Sequence, residues 1–146
     1  MNSLEEPSIK PLDILLVEDD DGDAKALRRA FKRANIPDRI VRAVDGIEAL
    51  EMLKGENGKT KLTSPRILLA DLNMPRMNGI EFVKALRADE ELRRSIVFVL
   101  TTSKRDEDRI AAYDLNVAGY INKATSSDFI DLADLMYLYS EIVELP

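Results

Sequence analysis

At 146 residues, 45% hydrophobic and 33% charged, the chain has the size and composition of one globular domain with a real core, and is too short for two comfortable ones. It contains no cysteine, which excludes disulfides, thiolate metal sites and thiol nucleophiles. It contains no histidine either, which excludes a Ser-His-Asp triad, imidazole ligation and phosphohistidine chemistry on the chain itself. A balance of 21 basic against 27 acidic residues (net −6) disfavours nucleic acid as a partner and suits a site that collects a divalent cation.

Residues 1–11 read as a polar tail with Pro7 and Pro11, without the basic-then-apolar pattern of a signal peptide. No apolar run is long enough to cross a bilayer, so the expected location is the cytoplasm, with no membrane contact. Leu12–Val17 is a short apolar run that stops abruptly at Glu18-Asp19-Asp20-Asp21, as a buried strand of a parallel sheet does. Residues 23–34 follow at helical spacing (Ala26, Leu27, Ala30, Phe31 and Ala34) and end at Asn35-Ile36-Pro37.

The alternation continues with a strand at Arg39–Val44, a helix at Gly46–Lys54 and a long polar loop at Gly55–Pro65. Arg66–Asp71 is an apolar run ending in a carboxylate, Gly79–Ala88 is helical, and Ile96–Leu100 is a strand running into Thr101-Thr102-Ser103. Lys104–Leu115 is helical, Ala118–Asn122 is a short strand, and residues 127–143 form the last helix. Five strand–helix units in strict succession predict an α/β fold: a doubly wound, five-stranded parallel sheet with five helices. Its ligands would bind beyond the carboxyl ends of the strands. Residues 12–146 form that one domain, with no output module expected after it.

The predicted strand ends carry Glu18, Asp19, Asp71, Thr101 and Lys123. Each has a local reading as well. One of Asp20 and Asp21 caps the first helix, Asn78 and Glu81 make a capping pair, Ser103 caps the fourth helix, and Lys123 alone is an ordinary solvated lysine. Caps do not explain Glu18 and Asp19 beside Asp71. At an effective dielectric of about 20, each pair of carboxylates at roughly 4 Å costs about 4 kcal/mol, so the cluster calls for counter-charge. Hard oxygen donors suit Mg²⁺.

The stretches ILLVEDD, DLNMPRMNG, VLTTS and YINK, with the intervals from Asp71 to Thr101 and from Thr101 to Lys123, resemble the signature of two-component response-regulator receiver domains over nearly the whole chain. The resemblance implies the flavodoxin-like receiver fold and a phosphorelay function rather than enzymic turnover. A partner histidine kinase would place a phosphoryl group on Asp71. Asp19 would bind Mg²⁺ directly, Glu18 through water, and Asn73 through its backbone carbonyl. Thr101 and Lys123 would contact the phosphoryl group, Tyr120 would swing with the switch, and the fourth helix, fifth strand and fifth helix would form the output face. The family places a proline in a cis peptide after the lysine; here it is Ala124. The Lys123–Ala124 peptide is therefore either cis, at about 3–4 kcal/mol, or trans.

The long loop, the D-L-N pair, L-T-T-S and the expected lack of an output domain are similar to regulators paired with phytochrome-type (bacteriophytochrome) histidine kinases, which tend to dimerise. In the last helix, Phe129, Leu132, Leu135, Met136, Tyr139, Ile142 and Val143 span an arc of roughly 140° and are assigned to the core. Ile130, Ala133 and Tyr137 then form a second face, the candidate homodimer contact. On the first helix, Ala26, Ala30, Arg29 and Arg33 are a docking surface for the kinase or simply its solvated side. Two other functions compete. One is a pseudo-receiver that binds partners without phosphorylation. The other is an aspartate-based phosphatase of the haloacid-dehalogenase type, whose second aspartate is here Asn73, a residue unable to transfer the proton.

Overall fold

The computed structural model describes residues 13–37, 39–62, 66–123 and 129–146. Strands β1 (Asp13–Val17), β2 (Ile40–Ala43), β3 (Arg66–Asp71), β4 (Ile96–Thr101) and β5 (Gly119–Asn122) make one parallel sheet in the order β2-β1-β3-β4-β5. Parallel pairing obliges each connection to cross back over the sheet. Helices α1 (Asp21–Arg33), α2 (Gly46–Lys54), α3 (Gly79–Ala88) and α4 (Asp106–Asp114) make those crossings, and α5 (Ile130–Ile142) follows β5. The chain reverses its winding between β1 and β3, which opens a crevice at their carboxyl ends.

Both faces of the sheet are covered, which is why the strands are continuously apolar. Alternate residues divide between two cores. Ile14, Leu16, Ile67, Leu69, Phe98 and Leu100 face α1 and α5, where they meet Leu27, Phe31, Leu132 and Met136. Leu15, Val17, Leu68, Ala70, Val97 and Val99 face the other way, against Leu53, Phe82, Leu86 and Ala112. Arg87 at the end of α3 fastens this side. Its guanidinium donates to the carbonyls of Leu115, Arg93, Ser95 and Asn116 at 2.7–3.0 Å, joining the loops on either side of β4 and α4.

Most boundaries agree with the sequence expectation to within one residue, but two helix starts differ by two. Helix α1 starts at Asp21, two residues early, because the Asp20 carboxylate accepts from the Asp23 N–H at 2.7 Å and so acts as the N-cap. Ser103 is not the cap of α4, which starts at Asp106 after Arg105. The Ser103 hydroxyl instead donates to Asp108 and accepts from the Arg105 N–H, holding an extended lead-in to the helix. Helix α5 starts at Ile130; the earlier start at residue 127, the peptide after Lys123 and the tail lie outside the described residues. The capping box of α3 is present: Asn78 accepts from the Glu81 N–H, and Glu81 accepts from the Asn78 N–H.

Helix α5 is also rotated from its expected phase. Ala133 is fully buried, and Ile130 and Tyr137 are half-buried against the same core, so Ile130, Ala133 and Tyr137 are not an open face for a second subunit. Leu135 and Ile142, assigned to the core, are exposed, and Leu138 is exposed with them. The cause is that Leu135, Leu138 and Ile142 stand beside the acids Asp131, Asp134 and Glu141 on the exposed side, so the apolar residues by themselves do not set its phase. Packing against α1 and the sheet decides it, and α1 accordingly buries Ala30, one of the two alanines read as a docking surface.

Candidate functional site

The strand ends converge on one crevice. Glu18 follows β1 directly and is 1% exposed; its N–H is fixed by the Ala43 carbonyl of β2 at 3.0 Å. Asp71 ends β3 and is also buried. In the register of β3 and β4, Asp71 lies opposite Leu100, which puts Thr101 one step beyond it; Thr101 lies opposite Asn122 of β5, which puts Lys123 one step beyond that. Thr101 is fully buried, and its hydroxyl oxygen accepts from the Ser103 N–H at 3.0 Å.

One carboxylate oxygen from each of Glu18, Asp19 and Asp71 lies within 4.8 Å of the other two. Glu18 and Asp71 are buried and Asp19 is exposed, so the cluster is closed behind and open in front. The Asn73 N–H points to Asp71 Oδ1 at 3.4 Å, which brings the backbone of residue 73 beside the same carboxylate. Gly79 holds the turn from below. Its N–H donates to the Leu72 carbonyl, and a Cβ there would stand 2.5 Å from the Asp71 carbonyl oxygen. Only glycine fits that approach.

Lys123 supplies positive charge within the cluster. Its Nζ donates to Glu18 Oε1 at 2.7 Å and to Asp23 Oδ2 at 2.8 Å, and lies 3.6 Å from Asp71 Oδ2. Burial pulls the ammonium pKa down, but the bonds to Asp23 and Glu18 outweigh it and hold Lys123 above its ordinary value. Glu18 moves up from 4.5 to about 7, chiefly because it is buried; the charge on Asp71 adds to the rise, and Lys123 opposes it. A single ammonium thus leaves the acids under-compensated. Oxygen donors at this spacing, with one carboxylate reluctant to ionise, are a set that a hard divalent cation would fit.

Every strand-end residue expected from the sequence is at this edge. Tyr120 of β5 lies opposite Val99, half-buried against the α2–α3–α4 core, and its hydroxyl is buried without a hydrogen-bond partner among the described residues. Two participants were not legible as such. Asp23 joins the site from the first turn of α1; the acidic run Glu18-Asp19-Asp20-Asp21-Gly22-Asp23 was the available signal, but only a helix starting at Asp21 aims its last member at Lys123. Arg76, in the left-handed region at φ 65°, donates through Nε and NH2 to the buried Asp45 carboxylate at 2.6 and 3.0 Å. That pair ties the turn after Asp71 to the N-cap of α2, and the guanidinium holds Asp45 below the usual carboxylate range.

The family described as response regulator receiver domain matches residues 14–133. The response regulator Rcp1 of Synechocystis is 32% identical over 83% of this chain and 82% of its own length. The crystal structure of the phosphorylated cyanobacterial phytochrome response regulator RcpA superposes with a TM-score of 0.82 at 31% identity, covering 92% of this chain and 98% of that one. A Mn²⁺-bound structure of Rcp1 superposes with a TM-score of 0.77 at 31% identity, over 93% and 99% of the two chains.

Proposed function

Since the chain belongs to the response regulator receiver family, a signalling family whose members bind a divalent metal in their acidic pocket and work with histidine kinases, we propose that Asp71 is its phosphoacceptor. The observation that carries this reading is a buried Asp71 carboxylate within 4.8 Å of the Glu18 and Asp19 oxygens and 3.6 Å from the Lys123 ammonium. With no histidine in the chain, the donor is a phosphohistidine on the partner kinase. An Asp71 carboxylate oxygen attacks phosphorus in line. The P–O bond forms as the P–N bond breaks, the electron pair returns to the donor imidazole, and that nitrogen takes up a proton.

Glu18, Asp19, Asp71 and the Asn73 carbonyl would hold Mg²⁺, which when bound supplies positive charge to the phosphoryl oxygens. Lys123 and Thr101 would meet those oxygens from β5 and β4. The acyl phosphate adds acceptors that draw both residues inward and bias the loops after these strands, with Tyr120 repacking. The Tyr120 hydroxyl, buried without a hydrogen-bond partner among the described residues, supports that role. The α4–β5–α5 face carries the change to partners.

The similarity to RcpA favours a phytochrome-class kinase as the donor. A homodimer would use the exposed stripe Leu135, Leu138 and Ile142, spaced three and four apart on one side of α5. Sedimentation of the wild type and of Leu138→Glu at micromolar concentration tests this; two monomers would end it.

The central test is incubation with Mg²⁺ and acetyl phosphate. A mass gain of about 80 Da, one phosphoryl group, is expected in the wild type and not in Asp71→Asn. No gain would favour a phosphorylation-independent binding module, and turnover of unrelated phosphate esters would favour a phosphatase.

A further inference from the structure

The ammonium that should serve the phosphoacceptor is held elsewhere. Lys123 has three N–H donors and spends its two short bonds on Glu18 and Asp23, leaving Asp71 the farthest of its three carboxylates at 3.6 Å. Glu18 is enclosed and belongs to the acid cluster. Asp23 is different: it comes from the first turn of α1, and its carboxylate is about a third exposed.

Its orientation has a local cause. Asp20 is the N-cap, so Asp23 is the third helical residue, the position whose acid normally reaches back to the N-cap N–H. In α3 Glu81 does this on the Asn78 N–H, and in α2 Glu48 reaches one residue further back, to the Val44 N–H before the Asp45 cap. In α1 the Asp20 N–H is directed to Glu18 Oε2 instead, at 3.3 Å. Asp23 is thereby released from capping and spans to Lys123, 100 residues away in sequence. Its neighbour Asp21 points outward to Arg42 and takes no part.

We propose that Asp23 is a positioning residue that holds Lys123 back from Asp71 in the resting protein, so that the cost of breaking the Asp23–Lys123 contact opposes occupancy of the phosphoryl site and sets its affinity. The inference rests on Asp71 being the phosphoacceptor. A phosphoryl group on Asp71 brings negative charge to the Lys123 ammonium, which must turn from Asp23 to meet it. Asp23, being partly exposed, can then be solvated. Its carboxylate therefore acts as a counter-anchor in competition with the ligand.

The test is equilibrium binding of trifluoroberyllate, a phosphoryl stand-in, in saturating Mg²⁺. Losing one charge-assisted hydrogen bond that competes with the ligand should tighten binding about tenfold in Asp23→Asn. Asp23→Glu, which restores the carboxylate, should stay near the wild type. The gain should vanish when Asp23→Asn is placed on Lys123→Ala, where Mg²⁺ compensates the remaining acids. It should also be absent from Asp21→Asn, which removes one charge from the same helical turn but not the contact with Lys123. Unchanged affinity in Asp23→Asn, an equal gain without Lys123, or an equal gain from Asp21→Asn would each overturn the proposal while leaving the phosphoacceptor reading intact. A wild type that binds no trifluoroberyllate would remove both.

Discussion

Replacing Gly79 by alanine tests whether the turn beneath the phosphoacceptor is as tight as its geometry implies. The new Cβ would stand 2.5 Å from the Asp71 carbonyl oxygen and 2.9 Å from the Leu72 Cα, both backbone atoms that no rotamer change can move. The first helical turn and the end of β3 must then separate by several tenths of an ångström. Overpacking of this kind costs about 1–3 kcal/mol, and weakening the bond from the Gly79 N–H to the Leu72 carbonyl adds about 1 kcal/mol. Alanine's better helix propensity returns roughly 0.5–1 kcal/mol, for a net destabilisation of about 2 kcal/mol in urea unfolding. The displaced backbone is that of Asp71, so phosphorylation by acetyl phosphate should slow by at least about tenfold, as misplacing a reacting group does. Gly22→Ala is the milder comparison, since its Cβ meets no backbone atom and only the Asp20 carboxylate, at 3.2 Å. A Gly79→Ala protein within about 0.5 kcal/mol of the wild type and phosphorylated at its rate would refute the steric argument.

Glu18 gives a pH signature in metal-free protein. Its folded pKa of about 7 is raised above the ordinary 4.5, so its contribution to stability is fully present below pH 4.5 and is lost as pH rises to 7. The slope is on the order of 1.4 kcal/mol per unit. Asp45 and Asp21, whose pKa values are lowered, act in the opposite sense and only in more acidic solution. Urea midpoints in chelator should therefore fall between pH 5 and 7 in the wild type and stay flat in Glu18→Gln; a rising wild-type profile would contradict the assignment. Arg87→Met keeps the apolar stem but strands the carbonyls of Leu115, Arg93, Ser95 and Asn116, for a loss of about 3 kcal/mol by denaturant titration; a loss below about 1 kcal/mol would mean that water replaces the guanidinium. Arg76→Ala should let the Asp45 carboxyl pKa rise toward its ordinary value, read by NMR titration, and weaken Mg²⁺ binding several-fold by loosening the turn that carries Asn73. Unchanged metal affinity would separate that ion pair from the site.

The sequence by itself determined the architecture and the chemistry of the strand ends. Short apolar runs such as Leu68-Leu69-Ala70, bounded by polar turns, read as strands buried on both faces, and regular alternation with helices leaves Glu18, Asp71, Thr101 and Lys123 at the strand ends on one side of the sheet. Periodicity and the succession of strands and helices along the chain are local or nearly local properties, so they survive in one dimension. The tertiary structure decided what depends on phase and on contacts between distant segments. Whether α5 buries Ala133 or Leu135 is settled by α1 and the sheet, because apolar residues lie on both the buried and the acid-bearing side of the helix. Arg76 finds Asp45, and Arg87 finds four carbonyls, only when separate loops are brought together. Asp23 reaches Lys123 because Asp20 caps α1 and the Asp20 N–H turns to Glu18. A shift of two residues in the helix start sets that direction, and local propensity does not resolve a boundary so finely.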